Sequence, residues 1–161
     1  MKPSGKIALF AVVAAAWIAL DQWTKSLFAD AVPGTLFGGA LGGLVDFRLV
    51  HNTGAAWGIF AGNTAALGIF SLVVVAALVA YFIWDIKSVN VVQVVAIALI
   101  AAGGIGNVID RFAQGYVTDF IAVTFIDFPV FNVADIGVTC GVVLLCIGFL
   151  VAWKREGRTE A

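Results

Sequence analysis

The chain has 161 residues, of which 62% are hydrophobic and only 12% charged. Soluble globular domains carry about 25% charged residues, so this composition, with a mean hydropathy of +1.06, excludes an ordinary soluble domain. It predicts a membrane protein of one domain, residues 1–161. A formal net charge of −1, without blocks of like charges, argues against nucleic acid as a partner.

Approximately residues 7–29 form the first predicted membrane span. Two lysines precede this apolar segment, as in a secretory signal peptide. The string DQWTK (21–25) continues the helical pattern and three further apolar segments follow, so we expect the span to be retained. Asp21 and Lys25 are four residues apart, the spacing at which two side chains pair on one helix face.

The segment between the first two spans predicts a small sheet and a short helix. Apolar and charged residues alternate over Leu44–Val50 after a glycine-rich stretch, which is typical of a half-buried strand. In HNTGAAWGIFAGN (51–63), Trp57 and Phe60 are three residues apart. This spacing predicts an interfacial helix whose rings lie at the lipid headgroups.

Three further segments are apolar enough to cross about 30 Å of hydrocarbon, which takes about 20 residues. They are approximately 65–84, 91–109 and 136–153. The predicted fold class is therefore an all-α integral membrane protein with four transmembrane helices, a small extracytoplasmic β-sheet and an interfacial helix. Glycines four residues apart, Gly137 and Gly141, predict close helix packing.

Four spans place both termini on one side of the membrane. Six of the nine Lys and Arg residues fall on that side, so the positive-inside rule predicts cytoplasmic termini. Seven of the ten acidic residues fall on the other side.

The sequence lacks the residues that several kinds of catalysis require. A single histidine and the absence of HExxH and CxxC patterns argue against a metal site, and we expect no cofactor. Ser26 next to Lys25 imitates a serine–lysine dyad, but adjacent side chains on a helix point about 100° apart. Carboxylates remain as the candidate catalytic groups.

Two aspartates bracket the segment between the third and fourth spans. Asp119 follows the third span and Asp135 immediately precedes the fourth, so we predict a sixteen-residue loop that leaves the membrane surface and returns. Two carboxyls held close at low dielectric share one proton, so one can activate water while the other protonates a carbonyl oxygen or leaving amine. Asp127, beside a Phe-Pro pair, is interpreted as the solvated tip of the loop.

Other roles for these residues stay open. A carboxylate at the start of a helix, such as Asp135, can cap it. Asp119 could be an ordinary loop acid, and Asp110 with Arg111 an ion pair. A small transporter or proton-conducting protein would use acids as a relay, although it would need them at mid-span, where the second, third and fourth predicted spans have none.

Four strings in the chain together resemble the bacterial lipoprotein signal peptidases, also called type II signal peptidases. They are DQWTK (21–25), HNTGAAWGIF (51–60), GNVIDRFAQGYVTDFI (106–121) and FNVAD (131–135). The resemblance covers nearly the whole chain and implies a monomeric aspartic endopeptidase of the bacterial inner (cytoplasmic) membrane, with its site near the periplasmic face. The implied partners are membrane lipid and prolipoproteins, which are cut just before a diacylglyceryl-modified cysteine.

The resemblance also implies site residues. The catalytic pair would be Asp119 and Asp135. The positions that match residues lining or supporting the family's site are Asp21, Lys25, Asn52, Gly54, Asn107, Asp110, Arg111, Asn132 and Ala134. Trp57 stands where phenylalanine is more usual, and Thr118 where a valine is common; neither position belongs to the pair.

Overall fold

The computed structural model describes residues 1–54 and 62–159, with side chains through residue 150. Within these ranges four long helices and three strands are formed. The helices are α1 (Pro3–Ser26), α2 (Thr64–Trp84), α3 (Val91–Gln114) and α4 (Val133–Thr159). The strands are β1 (Leu36–Ala40), β2 (Val45–Asn52) and β3 (Val117–Val123), with a 3₁₀ turn, Leu41–Gly43, between the first two.

The prediction of four spans is confirmed, because all four helices are long and apolar enough to cross a membrane. The observed ends of the first and third helices differ from the predicted ends, and both lie at polar residues. The first helix ends at Ser26 rather than near residue 29, and the third continues five residues past 109 to Gln114, where Gly115 in a left-handed conformation (φ 80°) ends it. The third helix can carry polar residues at this end because they face other parts of the protein, as described below.

Helix α3 lies at the centre of the bundle. Its apolar window is 72% buried, against 6% for that of α1. Small residues let neighbouring helices approach closely: a Cβ on Gly141 would lie 2.6 Å from Ile100 Cγ1, and one on Gly103 would collide with the carbonyl oxygen of Ala134. The predicted close packing is therefore present between α3 and α4.

The short turn between α2 and α3 lies at the end of the bundle opposite to the strands. Lys6, 5% exposed, donates to the carbonyl oxygens of Ile86 (2.8 Å) and Lys87 (3.0 Å) in this turn. Asn90 and Gln93 then start α3 with reciprocal side-chain to backbone hydrogen bonds. The turn is thus held to the beginning of α1.

The three strands form one antiparallel sheet in the order β1-β2-β3, which confirms the predicted small sheet. The prediction of a loop from 119 to 135 was wrong for its first part, since β3 pairs with β2 in the register Val50↔Asp119. Val117 and Phe120 are buried, and β-branched and aromatic residues favour strands. The predicted interfacial helix around Trp57 and Phe60 lies outside the described residues.

Candidate active site

A cavity of about 430 Å³ lies where β3, α3 and the start of α4 meet. Its polar lining residues are Asn52, Asn107, Arg111, Asp119, Asp135, Thr139 and Cys140. The remaining wall is apolar and is made by Val117, Phe128, Pro129, Val130, Phe131 and Ile136. The cavity therefore brings the two aspartates of the predicted pair to one site.

Asp119 lies on β3 with only 2% of its surface exposed. Its Oδ1 accepts a hydrogen bond from Asn132 Nδ2 (2.7 Å), and its Oδ2 accepts one from Asn52 Nδ2 (2.9 Å). Burial raises the pKa of the Asp119 carboxyl to about 7, and the charge of Asp135 acts in the same direction. The two asparagine hydrogen bonds and the charge of Lys25 oppose this shift. Near neutral pH the carboxyl can therefore both take up and release a proton.

Asp135 is the third residue of α4 and is half-buried. Its backbone N–H donates to Asn132 Oδ1 (3.0 Å), and its Oδ2 accepts from the backbone N–H of Asn132 (3.1 Å). This is the reciprocal pattern of a capping box. The other oxygen, Oδ1, accepts from Asn107 Nδ2 (2.8 Å). The capping role considered from the sequence is therefore present, and the same carboxylate also lines the cavity.

Two asparagine amides connect the aspartates. Asn132 Nδ2 donates to Asp119 and also to Asn107 Oδ1 (3.0 Å). Asn107 in turn donates to Asp135 through its amide nitrogen. Because Asn107 Oδ1 also accepts from Lys25 Nζ (3.0 Å), only its Nδ2 is free to face the Asp135 carboxylate.

Lys25 is the centre of a buried charged cluster behind the cavity. Its Nζ lies 2.9 Å from Asp21 Oδ2 and 3.0 Å from Asp110 Oδ2, and all three side chains are at most 5% exposed. The predicted pairing of Asp21 with Lys25 is therefore confirmed. The alternative prediction, an ion pair of Asp110 with Arg111, was wrong, because Asp110 pairs with Lys25 instead.

The cluster also holds the main chain beside each cavity aspartate. Asp110 Oδ2 accepts from the backbone N–H of Thr118 (3.0 Å), the residue before Asp119. Asp21 Oδ1 accepts from the backbone N–H of Ala134 (2.8 Å), the residue before Asp135. The positions of both aspartates are thus tied to one buried group of charges.

Arg111 and Gly54 meet on the other side of the cavity. Arg111 Nη2 donates to the carbonyl oxygen of Gly54 (3.3 Å), and the backbone N–H of Gly54 donates to Asn52 Oδ1 (2.9 Å). The second bond leaves the amide nitrogen of Asn52 facing Asp119. Among the described residues, Arg111 Nε is the one buried side-chain nitrogen or oxygen without a hydrogen-bond partner, so it can still donate to a bound molecule.

Of the nine predicted supporting residues, Asn52, Asn107 and Arg111 line the cavity. The other six are linked to the lining residues or to the charged cluster by the hydrogen bonds and ion pairs described above. Asp127, in contrast, is exposed and does not line the cavity. One residue of the cluster was missed. Gln22 Nε2 lies 3.2 Å from both Asp21 Oδ2 and Asp110 Oδ1, and 3.3 Å from the carbonyl oxygen of Gly106. Its place inside the DQWTK string was the available signal. Among the residues that the structure describes, no three His, Cys, Asp or Glu side chains are grouped to hold a metal ion.

Comparison with known proteins gives concordant results. The family model described as Signal peptidase (SPase) II matches residues 13–151. A lipoprotein signal peptidase of Deinococcus radiodurans is 35% identical over 163 residues, covering 91% of this chain and 81% of that protein. One from Parasynechococcus marenigrum is 40% identical over 141 residues, covering 86% and 84%.

Solved structures agree in fold. A bacterial membrane enzyme determined by the in meso method at 2.3 Å superimposes with a TM-score of 0.84 at 35% identity, covering 93% of this chain and 92% of that one. A second, at 1.9 Å, gives a TM-score of 0.79 at 36% identity, covering 89% and 94%. The chain belongs to the signal peptidase II family and is a multi-pass membrane peptidase.

Proposed function

We propose that this peptidase removes signal peptides from prolipoproteins and that Asp119 and Asp135 are its catalytic pair. The observation that supports the pair is that both carboxylates line one cavity and are connected through Asn132 and Asn107. The pKa of Asp119, raised by burial to about 7, lets the pair hold a single proton near neutral pH.

The reaction then needs one ionised and one protonated carboxyl. The ionised one takes a proton from a water molecule, whose oxygen attacks the scissile carbonyl carbon, while the protonated one donates to the carbonyl oxygen. When the tetrahedral intermediate breaks down, a proton passes to the leaving amide nitrogen. The pair titrates as a unit, so the proton belongs to both carboxyls jointly.

The cavity also suits a substrate that stays in the bilayer. We infer that the cut falls just before a diacylglyceryl-modified cysteine, whose acyl chains would each lose about 0.8 kcal/mol per CH₂ on leaving lipid. Ile136, Thr139 and Cys140 extend the cavity wall along the spanning part of α4, where such chains can lie. Arg111 and Asn52 provide donors for the peptide. With cytoplasmic termini, as the Lys and Arg distribution indicates, this site would face the periplasm.

The test uses a purified lipidated prolipoprotein in detergent. Asp119→Asn and Asp135→Asn should each abolish cleavage, whereas Asp127→Asn, which changes an exposed aspartate away from the cavity, should leave it nearly unchanged. Mass spectrometry of the product should find the modified cysteine at the new N-terminus. Full cleavage by either variant of the pair would rule out the aspartic mechanism, and a product cut elsewhere would rule out the proposed position.

A further inference from the structure

Strand β3 runs along the membrane surface rather than away from it. It begins at Val117, three residues after Gln114 ends the spanning helix α3. Four residues on, Ile121 exchanges two backbone hydrogen bonds with Phe131 (2.8 and 3.0 Å), and Phe131 is two residues before Val133 begins α4. Two points about 13 Å apart along the strand are thus both held at the ends of spanning helices.

Aromatic contacts hold the sheet at the same level from α1. Phe28, two residues beyond the end of α1, stacks on Phe120 of β3 with ring centroids 4.5 Å apart. It also meets Phe37 of β1 edge-on, at 5.1 Å. Both outer strands of the sheet therefore lie at the depth where the helices leave the hydrocarbon.

The far end of this sheet carries an exposed apolar group of side chains. Val45 pairs with both Ala40 and Val123, so the hairpin end lies beside the end of β3. Thr124 joins them, since its backbone N–H donates to the carbonyl oxygen of Leu44 (3.2 Å) and its hydroxyl to that of Gly43 (2.6 Å). The hairpin-end patch consists of Leu41 (76% exposed), Leu44 (52%), Phe125 (64%) and Ile126 (54%).

The absence of charged residues argues against water as the surroundings of this patch. No charged residue occurs in 36–45 or in 120–126, whereas strands facing water at a sheet edge usually carry charges.

We propose that the hairpin-end patch inserts into the lipid leaflet on the side of the membrane where the sheet lies. Because the sheet lies along the surface and its far end extends away from the helices, the medium at that depth is lipid, and apolar side chains are stabilised at the boundary of headgroups and acyl chains. The patch is then a second anchor for the sheet that carries Asp119, in addition to the helices. This contact does not depend on the proposed reaction.

Site-directed spin labels in lipid nanodiscs test the proposal. In a background with Cys140→Ala and Cys146→Ala, nitroxides are attached at Leu41→Cys and, separately, at Phe125→Cys. At both sites the ratio of collisions with dissolved oxygen to collisions with a water-soluble nickel chelate should be severalfold above the value for water-exposed positions.

Two reference positions define the scale. Ser88→Cys lies in the exposed turn at the opposite end of the bundle and reports water, while Val142→Cys lies on the exposed face of spanning helix α4 and reports hydrocarbon. A ratio at Leu41 and Phe125 equal to that at Ser88 would overturn the proposal. Spin–spin broadening between labels of two copies would also overturn it, since a second copy would then cover the patch.

The unmodified chain provides a second measurement, independent of whether the cysteine variants fold. An apolar diazirine dissolved in the bilayer is photolysed, and the labelled peptides are identified by mass spectrometry. Leu41, Leu44, Phe125 and Ile126 should be labelled to an extent comparable with Val142. The absence of label at these four residues, with Val142 labelled, would refute insertion whatever the peptidase activity of the sample.

Discussion

Replacing Asp119 by asparagine should make the protein more stable at alkaline pH. The folded-state pKa of this carboxyl is raised from 3.8 to about 7, so the folded chain holds a proton that the unfolded chain has released. The contribution of this group to stability is therefore fully present below about pH 4 and is lost as pH rises through the interval up to about 7. An asparagine has no such dependence.

The magnitude follows from the size of the shift. A change from 3.8 to about 7 corresponds to roughly 4 kcal/mol of lost stability at pH 8. Asparagine does not recover all of this: its amide nitrogen would face Asn52 Nδ2, and Asn52 cannot turn round without losing its bond from the N–H of Gly54. Loss of that hydrogen bond costs about 1–2 kcal/mol, so a net gain of about 2–3 kcal/mol remains at pH 8.

Thermal unfolding of the two proteins in detergent at about pH 5 and about pH 8 measures this effect. The hydrogen-bond penalty is the same at both values and cancels in the comparison, so the variant's advantage should grow by about 3 kcal/mol between them. For a chain of this length that is roughly 6–12 °C in Tm. Asp127→Asn is the control and should change little at either pH. A difference between Asp119→Asn and the original protein that is the same at both pH values would refute the reasoning.

Two further pairs of variants test the buried framework. Lys25→Met leaves two buried carboxylates without their cation, so it should lower stability by about 3–5 kcal/mol and abolish cleavage. Lys6→Met, equally buried on the same helix and bonded to turn carbonyls within the part of the chain that the structure describes, should cost about 1–2 kcal/mol and keep the specific activity of the folded fraction. Equal specific activities of the Lys25 and Lys6 variants would contradict the assigned role of Lys25. Gly106→Ala places a Cβ 2.5 Å from the Asp21 carboxylate, whereas Gly104→Ala places one 2.6 Å from a Val75 methyl. Both variants should be less stable by about 1–3 kcal/mol in thermal unfolding, but only Gly106→Ala should lose cleavage activity. A similar loss of cleavage activity in both variants would show that packing alone is responsible.

The spans were predictable from the sequence because each depends on length and apolar content alone. The pairing of Asp21 with Lys25 was predictable for a similar reason, since their spacing on one helix determines it. The bounds were less accurate at the third span, where charged residues near position 110 indicated a helix end. These residues stay helical because Asp110 is paired with Lys25 of α1 and the N–H of Thr118 on β3, and Arg111 with the carbonyl oxygen of Gly54. Hydropathy cannot reveal such contacts.

The arrangement around the aspartates depended on contacts distant in sequence. Residues after Asp119 were interpreted as loop because they lie between the third and fourth predicted spans, while the partner strand that makes residues 117–123 a strand lies about 70 residues earlier. Gln22 gives no distinguishing pattern of its own. Its contacts join α1 to α3 across more than 80 residues, and only the folded chain brings these together.

Packing and chemistry are joined at the point where α4 begins. Gly103 and Gly106 leave no Cβ between α3 and the start of α4, and a Cβ on either would collide with or crowd Ala134. Only at this close distance can the Asp21 carboxylate reach the N–H of Ala134 while Lys25 holds Asp21. The next residue is Asp135, whose carboxylate both caps the helix and lines the cavity. Small residues on α3 therefore determine where that carboxylate lies. A substitution that adds a side chain at one of these glycines can alter the site as much as a substitution of a residue that lines the cavity.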